Sequence, residues 1–188
     1  MNIKSLEDKI QKLGGIESTS PQASKNSTPI RSELKLQNYL DFANKYGSFT
    51  FKKSIVVKAV DSIPVANNNE VAVEDFYDYE SSNFLCDNYK GQLKAGIRPI
   101  FTSEPGDLIC INESNARIYY WYHEGKIDND LFLIADSFEE FMMKLRVDDE
   151  DEDLDTYKVK EVKMSQEFLD LLKKSGYGYK GNLPKKKD

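Results

Sequence analysis

The chain has 188 residues, 39% of them hydrophobic and 31% charged, which is enough apolar material for one compact domain burying roughly 70% of its unfolded surface. Its longest apolar stretches are short, such as Ile55-Val56-Val57, far from the roughly 20 residues of a membrane span, and the charged N-terminus is unlike a secretory signal, so a soluble cytoplasmic protein is expected. The net charge of −6 is concentrated in residues 148–155, whose seven carboxylates, once removed, leave the chain at +1.

Ile3, Leu6, Ile10 and Leu13 recur at helical spacing, and Gly14-Gly15 ends the pattern. Residues 17–32 follow, rich in Ser and Thr with Pro21 and Pro29; such a segment cannot bury a core and reads as a linker. Residues 1–27 are therefore expected to be an appendage, with the main domain at 28–175 and a basic tail at 176–188. A second helix is expected over 32–46, with Ser32 as N-cap and Gly47 in the left-handed position that ends it.

Strands are expected at 49–53, 55–60 and 71–77, rich in Val, Ile, Phe and Tyr, with Asn67-Asn68-Asn69 as the turn before the last. Residues 81–95 read as a short broken helix. Next come a strand at 97–102, a turn at 104–107, and a hairpin pairing 108–112 with 117–123. A strand at 131–135 leads to a capping box, Ser137 to Glu140, opening a helix whose Phe138, Phe141, Met142 and Leu145 form one apolar stripe. A strand at 156–162 and a helix at 165–175 close the pattern. The expected class is α+β: a mostly antiparallel sheet of about five to six strands flanked by helices.

Chemistry-bearing motifs are few. Cys86 and Cys110 lie 24 positions apart without a CxxC, and His123 is the single histidine, so no metal site is expected. Two buried free thiols are the plain reading and a redox pair the alternative. No GxSxG, GxGxxG or GxxxxGK[ST] occurs, and neither catalytic residues nor a cofactor are expected.

Gly106-Asp-Leu-Ile-Cys-Ile-Asn112, Ile118-Tyr-Tyr-Trp-Tyr-His-Glu124 and Ile134-Ala-Asp-Ser-Phe-Glu-Glu-Phe141 together resemble the SUKH superfamily. So does Tyr39-Leu-Asp-Phe-Ala-Asn-Lys-Tyr-Gly47, and the similarity extends over roughly residues 30–146. This is the fold of the fungal cell-wall-assembly regulators of the Smi/Knr type and of many bacterial immunity proteins. Tyr122 stands where the family often has Asp between Trp and His. The resemblance implies a binding role without catalysis: an immunity protein capping a cognate toxin, often a nuclease or deaminase. A regulatory interaction scaffold is the alternative, and a small-ligand binder or unrecognised enzyme the second.

Several residues carry a functional reading beside a plain one. On a strand Tyr119, Trp121 and His123 share one face and Ile118, Tyr120 and Tyr122 the other, so Trp121 and Tyr122 are candidate partner contacts or ordinary sheet packing. Asp107 and Glu124 are paired carboxylates or solvated turn residues, and Lys185, Lys186 and Lys187 a solvated tail or a nucleic-acid contact. The acidic run of Asp148, Asp149, Glu150, Asp151, Glu152, Asp153 and Asp155 is either a solvated loop or a surface that docks a basic toxin. Neither direct nucleic-acid binding nor membrane association is expected.

Overall fold

The computed structural model describes residues 3–19, 36–103, 106–126 and 129–148, all within a compact unit spanning 1–151. In chain order they form α1 (Ile3–Lys12), β1 (Ile16–Ser18), α2 (Gln37–Tyr46), β2 (Phe49–Lys58), β3 (Glu70–Phe76) and α3 (Tyr79–Asn88). Then come β4 (Ile97–Thr102), β5 (Leu108–Asn112), β6 (Ile118–Trp121), β7 (Leu131–Ala135), α4 (Phe138–Lys144) and β8 (Arg146–Val147). The class is α+β, as expected. The sheet has eight strands rather than five or six, paired antiparallel in the order β1-β2-β3-β4-β5-β6-β7, with β8 also on β2.

The two strands expected at 49–53 and 55–60 are one. β2 runs unbroken but bulges: Thr50 faces Asp75 and Ile55 faces Val73, so residues 51–54 stand opposite Glu74 alone. On the other edge of β2, β1 pairs with residues 49–51 and β8 with residues 55 and 56. Beyond β2, the Val60 and Asp61 amides donate to Leu133 O (2.9 and 3.1 Å) and Asp61 Oδ2 accepts from the Leu133 amide (2.8 Å). The two ends of the sheet are thereby tied together.

Residues expected to form an appendage belong to the core. Leu6, Ile10 and Leu13 are buried in the same cluster as Phe42, Ile55 and Phe141, β1 adds a strand to β2, and Lys9 Nζ donates to Met143 O (2.9 Å). The reason is the stripe itself: Leu6 and Ile10 on one face of α1, continued by Leu13 just past its end, need a partner surface, and the core they share with residues of α2 and α4 supplies it. Glu17 and Ser18, read as linker, are strand. Thr19 follows, its amide on Ser48 O (3.1 Å), while residues 20–32 of that linker, Ser32 among them, and the strand and helix expected at 156–162 and 165–175 lie outside the described residues.

Gly47 takes φ 62° and its amide closes α2 on Ala43 O (2.8 Å), as its position requires. Of the ambiguous stretch 81–95, residues up to Asn88 belong to one unbroken helix, α3, which Asp78 caps by accepting from the Ser81 amide (2.9 Å), and the remainder is turns with a bridge between Lys90 and Leu93. Ser137 caps α4 by accepting from the Glu140 amide (3.1 Å), while Glu140 reaches back to the Asp136 amide (3.0 Å), one residue before the cap.

The main core is an aromatic seam. Tyr39 and Phe42 of α2, Phe49, Phe76 and Phe101 of the sheet, and Phe138 and Phe141 of α4 touch in sequence, with Phe49 stacked on Phe76 at 4.9 Å and Phe42 edge-on to Phe76 at 5.2 Å. Each such pair adds roughly 0.5–1.5 kcal/mol beyond area burial. Trp121 lies on the other face of the sheet, in a smaller cluster with Ile97, Leu108 and Cys110.

Both Leu6 and Phe141 should be costly to truncate. Leu6→Ala is expected to lower stability by about 2–5 kcal/mol and Phe141→Ala by about 3–5 kcal/mol, read from urea midpoints. A Leu6→Ala loss under about 0.5 kcal/mol would return α1 to the status of an appendage.

Candidate functional site

β6 ends at Trp121, so Tyr122 and His123 lie in the turn that follows; Tyr122 keeps the side of Ile118 and Tyr120, packing against the main core and lining the same cleft as Tyr120. The turn before β5 comes up beside them. Gly106 there has φ 93°, and a Cβ on it would sit 2.8 Å from the His123 ring, so this turn needs glycine for its conformation and for the close approach. It delivers Asp107, buried and 4% exposed.

Asp107 collects three donors. Oδ1 accepts from the His123 amide (2.9 Å) and lies 2.6 Å from His123 Nδ1, while the Tyr120 hydroxyl, also buried, donates to Oδ2. His123 Nε2 points away, 3.9 Å from Glu124 Oε1, and Glu124 accepts from the Tyr122 hydroxyl (2.8 Å). Asp107 and Glu124 are therefore not a carboxylate pair; the histidine stands between them. Hydrogen bonds to the ionised form suit a carboxylate out of water. A carboxylate-held imidazole with an outward Nε2 can act as base or ligand, yet among the described residues no group of three metal-ligating side chains assembles.

Beside this trio opens a cleft of about 670 Å³ whose lining includes Asp107, Tyr120, Tyr122, Glu70, Arg146 and Asp148. Arg146 Nη2 donates to Glu70 Oε2 (2.5 Å), and this hydrogen bond holds the Glu70 carboxyl below its ordinary range. Asp148 lines a second cleft with Lys52 and Asp75, and its amide donates to Ser54 O (2.9 Å). The rest of the acidic run, Asp149, Glu150, Asp151, Glu152, Asp153 and Asp155, lies outside the described residues, as do Lys185, Lys186 and Lys187.

Trp121 is only 3% exposed and its indole donates to buried Asp130 (3.1 Å), so it offers no surface to a partner. Tyr122 is half-buried at the cleft. On the α3 side Arg98 is buried: its guanidinium holds Glu113 (Nη2–Oε1 2.6 Å) and Asn83 (2.6 Å) and lies 4.4 Å from the Tyr79 ring centre. Burial alone would lower Arg98, but the Glu113 carboxylate outweighs it and the net direction is up. Both cysteines are free, and burial pushes each thiol up, Cys110 most. No helix among the described residues is long and apolar enough to cross a membrane.

Comparison with known proteins settles the family. The sequence model of the SMI1 / KNR4 family (SUKH-1) matches residues 36–144, more than half of the chain. The chain belongs to that family. The match begins one residue before α2 and ends with α4, so it takes in the aromatic seam and the Asp107 trio but stops short of Arg146 and Asp148 at the cleft. A curated relative is the SPbeta prophage-derived uncharacterized protein YokK of Bacillus subtilis (strain 168), 29% identical over 166 residues that span 77% of this chain and 86% of that one.

Sequence reasoning missed the Asp107–His123 contact, because sixteen residues and two strand ends separate the partners. The available signal was the pair of turn glycines, Gly106 and Gly125, flanking a hairpin of matched length. Asp107→Ala should cost about 3–5 kcal/mol, because buried donors lose their acceptor, whereas Tyr120→Phe should cost about 1.5–3 kcal/mol. Equal, sub-kilocalorie losses in chemical denaturation would show that the trio is ornamental. In the native protein a thiol reagent should modify Cys86 slowly and Cys110 only after unfolding, which mass analysis of labelled peptides would check.

Proposed function

We propose that this chain is a non-catalytic cytoplasmic immunity protein that binds and neutralises a protein toxin. Family membership carries the reading, together with the role the SUKH resemblance implies. The site chemistry is compatible with it. The Asp107 carboxylate is engaged by Tyr120 and by His123, so the imidazole is held in place as part of the fold. The toxin surface would be basic, matching the acidic run that starts at Asp148.

The decisive experiment is co-expression with the product of the adjacent reading frame. The expected result is that this frame encodes a larger protein ending in a small toxic domain, that co-expression restores growth, and that the two proteins co-purify. Growth arrest despite abundant folded protein would overturn the reading.

One observation favours a second reading: Asp107 and Tyr120, buried and hydrogen-bonded to each other, line a cleft of about 670 Å³, a volume suited to a small ligand. A small-ligand binder would gain thermal stability from a metabolite library screen, and an immunity protein would not.

The acidic run has its own test. Neutralising Asp148, Asp149, Glu150 and Asp151 to Asn or Gln should slow association with the toxin on the order of tenfold at low salt and flatten the salt dependence of the on-rate. Exposed charges act over about 8–10 Å at ordinary ionic strength, and stability should hold or rise as like charges are removed. Identical salt slopes for wild type and variant would remove the run from the interface.

A further inference from the structure

Residues 89–96, between α3 and β4, lie across the smaller apolar cluster as a strap. Six of these eight residues are exposed; Tyr89 and Leu93 are half-buried and pack on that cluster, with the Tyr89 ring edge-on to Trp121 at 5.4 Å. Among the described residues, the strap's backbone hydrogen bonds stay within residues 85–97, apart from the Glu113 amide, which donates to Gly96 O (2.8 Å). Gly91 and Gly96 take φ 87° and 78°, each in open space. A segment with so few buried apolar contacts and such local hydrogen bonding belongs to the low-stability end of a fold.

The strap is also tied down by charge. Asp130 is buried, and its Oδ2 accepts from the Trp121 indole (3.1 Å). Oδ1 is buried as well, yet among the described residues no hydrogen bond reaches it. The Lys94 ammonium, on the strap, stands 3.6 Å from Oδ1. A carboxylate out of water is costly to keep when it lacks donors, and a cation beyond hydrogen-bond distance offsets that cost only in part. Closing the strap buries apolar surface on Trp121, whereas opening it returns Asp130 to water. The two effects oppose each other across one short segment.

We propose that residues 89–96 are a strap latched by the Lys94–Asp130 ion pair, which opens as a unit and admits water to Trp121 and Asp130 while the sheet beneath stays paired. The strap governs whether Trp121, sealed in the closed state, can be reached. It does so whatever partner the protein has, so the proposal stands apart from the toxin-binding reading.

A latch has a signature that packing lacks. Lys94→Met keeps an apolar stem and removes the charge, which leaves a buried carboxylate without its cation; removing both charges is close to neutral. The test follows hydrogen exchange at Trp121 Nε1 in the full chain, whose single tryptophan gives one indole resonance, beside exchange at the backbone amides of β5 and β6. Lys94→Met should speed indole exchange about tenfold and leave the β5 and β6 amides unchanged. Lys94→Met combined with Asp130→Asn should return the indole to within about threefold of wild type. Acrylamide quenching of the same indole should rank the three proteins in the same order. Unchanged indole exchange in Lys94→Met would overturn the proposal. So would a double variant as fast as Lys94→Met alone, or an indole and β5 amides that exchange together, the mark of global opening. Lys94 is partly exposed, so its single variant decides between an opening strap and a fixed one even if the double variant fails to fold.

Discussion

The ten-residue strand β2 carries hydrogen bonds to three other strands, and through Val60 and Asp61 its continuation reaches a fourth. Its bulge makes this possible. With residues 51–54 opposite Glu74 alone, the strand twists sharply, so its two halves present one edge in two places. The first half takes β1, the second takes β8, and beyond it the chain meets β7. The beginning of the described unit, its end and the far edge of the sheet are all secured by one strand. A sheet edge is a liability when left open, and here Asp61 Oδ2 occupies the Leu133 amide at the β7 edge.

The aromatic seam is what the helices contribute to this arrangement. α4 has only seven residues, too short to be stable alone, yet Phe138 and Phe141 lock it between α2 and the sheet. Its cap residues and buried stripe agree on the same orientation, and agreement between local and tertiary preference favours a single native state. Where α4 ends, Arg146 and Val147 are already at the β2 edge, which fixes where Asp148 emerges. The position of the first acidic residue, at the rim shared by two clefts, is thus a consequence of helix packing.

Asp107 plays the corresponding part on the other wall. Its carboxylate ties the turn before β5 to the turn after β6 through His123, and to the core through Tyr120. Tyr122 is held between these anchors, with its hydroxyl on Glu124. The cleft therefore has one wall fixed by buried hydrogen bonds and a floor fixed by cross-strand pairing, the preorganisation that reduces the ordering cost of binding.

The sequence by itself determined the class, most strand and helix positions, the stripe and cap of α4, the left-handed Gly47, and, through four motifs in order, the family. These are local properties: periodicity, caps and turn residues act within a few positions of themselves. It also identified the helix of Leu6, Ile10 and Leu13, but only the tertiary structure decided that this stripe joins the main core, because a Ser/Thr-rich segment in between says nothing about what an apolar face meets in space. The same holds for Trp121, whose burial depends on Asp130 and on residues from β4 and β5, and for Asp107, whose three donors converge only when two hairpin ends meet. The count of strands depended on pairing as well: β1 and β8, with three and two residues, are too short to show alternation and exist as strands because β2 has edges to offer them. Patterning fixes what each segment can be, and long-range contacts, invisible to spacing, fix which surfaces remain for a partner.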